Sequence, residues 1–111
     1  MQIRLQLCLA LLLLSTDLSN AQSSDLIKVV SAVYGGQGRI VDVTRDMQSL
    51  CDGKTRCDYY IDGSLPQFVA YVEQSGLDFR FEKTLGVSYL CGLTQKSASN
   101  VDFQHLVLSC P

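Results

Sequence analysis

Phe79 to Cys91 reads FRFEKTLGVSYLC, and toward its end Leu85, Val87, Tyr89 and Cys91 fall on one side of an extended chain. Alternation at a period of two is the pattern of a strand with one face buried. Working outward from it, Leu26 to Tyr34 (LIKVVSAVY) is rich in β-branched residues, with Gly35, Gly36 and Gly38 behind it as turn formers. This predicts a first strand followed by a flexible loop. Cys57 to Asp62 (CDYYID) reads as a second strand that Gly63 and Ser64 break, and Phe103 to Cys110 (FQHLVLSC) as a last strand with Leu106, Leu108 and Cys110 on one face. Gly92 to Asp102 is polar and Ser-rich, which predicts a loop or linker.

Two short helices fit between the strands. Val43, Met47 and Leu50 or Cys51 share one helical face, and Gly53 can end it. At Ser64-Leu65-Pro66-Gln67 the Ser is placed to cap a helix start and the Gln to reach back, with Pro tolerated in the first turn. Leu65, Phe68 or Val69, and Val72 make its buried face, and Gly76 stops it. The sum is a mainly β fold with short helices.

The chain has 111 residues, of which residues 1–21 read as an export signal. Arg4 supplies its positive region, Leu5 to Leu14 its apolar stretch, and Ser19 and Ala21 a small-residue cleavage pattern. Ten apolar residues are too few to span a bilayer, and no other stretch is apolar enough to insert in a membrane. Residues 22–111 then form a single secreted, extracellular domain. With 47% hydrophobic and 18% charged residues the composition is that of a globular chain rather than a disordered one. Loss of Arg4 and Asp17 with the signal leaves eight Lys and Arg against ten Asp and Glu, and the largest basic cluster is Lys54 with Arg56. That balance does not favour a phosphate backbone, so no nucleic-acid partner is expected.

Export changes what cysteine means, because thiols pair outside the cytosol. Cys51, Cys57, Cys91 and Cys110 remain after the signal, and four cysteines allow three pairings among which the sequence does not choose. Five residues separate Cys51 from Cys57, too many for the usual zinc pair, and His105 is the only His, so disulfides are expected and neither a metal nor a cofactor is. No enzyme is expected either. A lone His without a free Cys or a Gly-x-Ser-x-Gly run does not assemble a nucleophile and its base, and Glu73, Asp78 and Glu82 read as helix surface and strand flank.

Three stretches together resemble the SUEL-type lectin domain, which binds rhamnose or galactose. IKVVSAVYG (Ile27 to Gly35) is similar to the family's strand ending in Ala-x-Tyr-Gly, CDGKTRC (Cys51 to Cys57) to its Cys-x-Gly-Lys-x-x-Cys segment, and KTLGVSYLC (Lys83 to Cys91) to its Lys-x-Leu-x-Val-x-Tyr-x-Cys ending. The family's opening acid and Leu-x-Leu-Ser-Cys-Pro strand are matched at the far end, by DFQHLVLSCP (Asp102 to Pro111). Two explanations fit that order: a circular permutation with Gly92 to Asn100 as the new connection, or a piece of a tandem array ending just inside its second repeat.

The resemblance implies a small antiparallel β-sandwich stapled by Cys51–Cys57 and Cys91–Cys110. It also implies metal-independent binding of a neutral sugar, with glycans or glycoproteins as partners. The family's pocket acid falls on Asp102, its Tyr on Tyr34 and its pocket Lys on Lys83. Asp102 and Lys83 would bond adjacent hydroxyls while Tyr34 packs on the sugar ring. All of this requires the tail strand to fold back beside the head strand, so that the three side chains line one hollow. The alternative is a secreted protein-interaction module, for adhesion, inhibition or as an effector, that binds a cell-surface protein on the same fold with the sugar pocket lost.

Overall fold

The computed structural model describes residues 25–111, and the predicted export signal lies outside them. Their elements run β1 (Ile27–Gly36), β2 (Arg39–Asp42), α1 (Thr44–Cys51), β3 (Arg56–Tyr60), α2 (Pro66–Ser75), β4 (Thr84–Cys91), β5 (Thr94–Val101) and β6 (His105–Ser109). Strands in the order β2-β1-β4-β5 form one antiparallel sheet, and β3 pairs with β6 in a second. The fold is mainly β with two short helices, as the patterning predicts.

The core is built by the alternation of β4, whose Leu85, Val87, Tyr89 and Cys91 are all buried, facing Leu106, Leu108 and Cys110 of the tail. Helix α1 adds Met47 and Cys51, and α2 adds Phe68. Strand β1 reaches the same core by an irregular route. Its pairing with β4 slips between Val29 and Ser31, so Ile27 and Val29 point inward before the slip, and Ala32 and Tyr34 after it. Side chains alternate strictly along a strand, and one extra residue therefore swaps which of them face the core. Val30 takes the extra place and is 51% exposed.

Disulfides join Cys51 to Cys57 and Cys91 to Cys110. The first ties the end of α1 to β3, and the second ties the end of β4 to the tail. Such bridges belong to a chain that folds in an oxidising environment. Among the described residues, no helix is long and apolar enough to cross a membrane.

Five expectations need correction. Gly92 to Asp102 is not a linker: Gly92 (φ 61°) and Leu93 form a tight turn, and β5 then pairs without interruption from Cys91↔Thr94 to Thr84↔Val101. Backbone pairing to β4 outweighs the weak strand preference of Ser and Asn, since an edge strand with one wet face asks little of its side chains. The glycine-rich stretch after Tyr34 is likewise a hairpin rather than a flexible loop, with β2 folding back on β1. The long strand from Phe79 begins only at Thr84, because residues 77–83 follow α2 as irregular chain.

The Ser64–Gln67 capping box does not form either. Ser64 donates its amide and hydroxyl to Asp62, and α2 is capped from outside: the Gln67 amide donates to Asp46 Oδ2 at 2.7 Å, while the Asp46 amide donates to Gln67 Oε1 at 3.1 Å. A reciprocal cap of the capping-box kind thus links α1 to α2 rather than closing within one helix.

The tail strand pairs with β3, not with β1. Its other edge is held under the large sheet by side chains. Ser109 O accepts from Tyr89 Oη at 3.3 Å and from Lys96 Nζ at 3.1 Å, and His105 O accepts from Asn100 Nδ2 at 2.8 Å.

Candidate functional site

Tyr34, Lys83 and Asp102 come from three elements and meet. The slip in β1 turns Tyr34 inward, Lys83 stands immediately before β4, and Asp102 stands immediately after β5. The Asp102 amide donates to Lys83 O at 2.9 Å, which fixes the two backbones side by side. The Tyr34 hydroxyl donates to Asp102 Oδ1, and Oδ2 accepts the Lys83 amide at 2.9 Å and its ammonium at 3.1 Å.

Lys83 Nζ also donates to Phe79 O at 2.8 Å and Phe81 O at 3.2 Å, so all three of its protons have acceptors. It lies 5.7–6.0 Å from the ring centres of Tyr34, Phe68 and Phe81, within cation–π range. The Tyr34 ring meets Phe68 edge-on at 4.7 Å, and Phe68 meets Phe79 at 5.1 Å. With exposures of 1% for Tyr34, 9% for Lys83 and 8% for Asp102, the group is a buried polar clasp under an aromatic cover. Tyr34 leaves no ring face for a sugar.

The electrostatics follow from that geometry. Burial works to raise the Asp102 carboxyl, but the Tyr34 hydroxyl, the Lys83 amide and the Lys83 ammonium outweigh it and hold the group below the usual range. Burial pushes the Tyr34 hydroxyl far above its ordinary value, and its bond to Asp102 adds to the effect. The clasp therefore keeps its carboxyl ionised against a neutral phenol.

Beside the clasp opens a hollow of about 400 Å³, lined by Phe79, Phe81, Lys83, Asp102 and Phe103 with the exposed Arg80 and Glu82. Phe103 is 67% exposed and sits at φ 65°, a left-handed conformation that bulky residues rarely adopt. It is held there partly by its amide, which donates to Ile61 O at 2.7 Å. Arg80 is engaged with Asp78 at 2.9 Å, which holds that carboxyl below its ordinary range. A hollow of about 450 Å³ lies elsewhere, between β2 and α2, lined by residues such as Ile40 and Tyr71.

The resemblance read in the sequence singles out Tyr34, Lys83 and Asp102 but not Phe103, Phe79 or Phe81 as site residues. Phe103 reads there only as the outward side of a strand, and nothing in composition signals its backbone strain. His105 faces Asp58 at 2.6 Å on the exposed side of β3 and β6, away from the clasp. Among the described residues, no three His, Cys, Asp or Glu side chains stand close enough together to hold a metal. The sequence matches no family model, no curated protein and no solved structure.

Proposed function

We propose that this chain is a secreted, metal-independent lectin-like domain that seats a neutral sugar in the hollow beside the clasp. The observation that carries this reading is Phe103, an exposed aromatic held in a costly backbone conformation at the edge of that hollow. Strain of this kind persists where the surroundings impose it and gathers at ligand sites. A ring face there suits the apolar C–H face of a sugar, and Glu82 supplies a carboxylate acceptor for its hydroxyls. In this reading Lys83 and Asp102 form the floor with Tyr34 buried behind them, and their own bonding positions stay filled.

Phe103→Gly is the test. Glycine accepts φ 65° without penalty, so the variant should unfold no more easily than the parent, and by about 1 kcal/mol less easily if the strain is relieved in full. On a glycan array the parent should bind, free rhamnose or galactose should compete, and the variant should be silent. Undiminished glycan binding by a folded Phe103→Gly protein removes Phe103 as the platform.

One feature favours the second reading, a protein-interaction module. The ammonium of Lys83 and both oxygens of Asp102 are already engaged, which leaves the hollow richer in apolar than in free polar groups. A parent protein that is silent across the array, yet binds a purified cell-surface protein through Phe103, establishes this reading instead.

A further inference from the structure

Strand β5 closes one side of the large sheet, and only its β4 side is paired. The tight turn at Gly92–Leu93 makes Cys91–Thr94 a hydrogen-bonded pair, and bonded pairs then alternate along the ladder. The N–H and C=O groups of Gln95, Ser97 and Ser99 therefore point away from β4. Among the described residues none bonds to them, whereas the next outward amide, that of Val101, donates to Asn100 Oδ1 at 2.9 Å. The open edge runs from Gln95 to Ser99 and ends there.

Proteins usually blunt such an edge with a proline, a bulge, an outward charge or a cover. Strand β5 (TQKSASNV) has no proline, its register is unbroken, and its single charge, Lys96, is turned under the sheet to Ser109 O at 3.1 Å. The opposite edge is short, charged and covered: β2 spans four residues, carries Arg39 and Asp42 at its ends, and has α2 packed beside it.

We propose that β5 is a self-association edge, pairing antiparallel with β5 of a second copy about a two-fold axis at Ser97, so that two four-stranded sheets become one. An extended peptide would meet the same backbone groups, but the register selects a second copy. Centring on Ser97 sets Gln95 opposite Ser99 of the second copy and uses every open group without reaching Val101. It places Ser97 against its own counterpart on the exposed face, where hydroxyls can bond, and Lys96 against Ala98, so that no like charges oppose.

The oxidised protein should show an apparent mass that climbs from monomer toward dimer with concentration in sedimentation equilibrium. In the dimer the amides of Gln95, Ser97 and Ser99 should become protected from hydrogen exchange. Ser97→Lys and Ser97→Glu each put like charges face to face at the axis, and each should weaken self-association at least about tenfold. An equimolar mixture of the two should pair again. Both variants should keep the parent's unfolding midpoint, because the Ser97 side chain lies on the exposed face and its amide takes no part in the ladder to β4. A protein that stays monomeric at millimolar concentration overturns the proposal. So does self-association that ignores both substitutions or leaves the three amides exchanging freely.

Discussion

Strand β6 meets the large sheet at two ends by two different chemistries. At its entrance Asp102 takes Tyr34 and Lys83 into a buried clasp built only of hydrogen bonds and charge. At its exit Cys110 is bonded to Cys91, while Tyr89 and Lys96 hold the neighbouring Ser109 carbonyl. The entrance depends on the ionisation of one carboxyl and is indifferent to reductant. The exit depends on oxidation and is indifferent to mild acid. A small core thus holds its returning strand by two fastenings that no single change of solvent removes.

The largest effect should come from breaking the entrance. Asp102→Ala leaves the Lys83 ammonium buried without its counter-charge and should cost about 3–5 kcal/mol in urea unfolding. A loss below about 1 kcal/mol would mean that the clasp is not what holds the strand there. Acid probes the same end. Because the folded carboxyl lies below its unfolded value, its contribution is complete above the unfolded pKa and fades as pH falls through the folded one. The parent should weaken in that window below about pH 4, and Asp102→Asn should show a flatter profile across it.

Breaking the exit should cost somewhat less. Replacing Cys91 and Cys110 together by Ser reopens a loop spanning 19 residues of sequence, worth about 3 kcal/mol in a chain-entropy account. That loss should be the same at pH 4 and pH 7, and a pH-dependent loss would show that the two fastenings are coupled.

Two tyrosines sharpen the contrast further. Tyr34→Phe removes the donor to Asp102 Oδ1 and should cost about 1–3 kcal/mol, because it leaves a buried charged acceptor short of a partner. The same change at Tyr59 should be neutral or slightly stabilising. Its buried hydroxyl has no hydrogen-bond partner among the described residues. Equal losses at both positions would contradict the view that Tyr34 matters through its hydrogen bond.

Much of the fold is legible along the chain, since β4 and β6 declare their buried faces by alternation and Gly76 marks the end of α2 at φ 67°. The candidate site is legible only in part. Tyr34, Lys83 and Asp102 can be picked out, and they do converge, but their closure upon one another cannot be foreseen. That closure rests on the slip at Val30, without which Tyr34 would face solvent, and on residues 77–83 folding Phe79 and Phe81 over Lys83.

What the amino-acid order determined by itself is what neighbouring residues settle between themselves: alternation, turn formation and a supply of cysteines. The tertiary structure alone decided the strand made by β5 and the cap that Asp46 lends to α2. It also decided the left-handed turn at Phe103. Each of these depends on a partner distant in sequence, and no local preference encodes where that partner will stand once the core has closed.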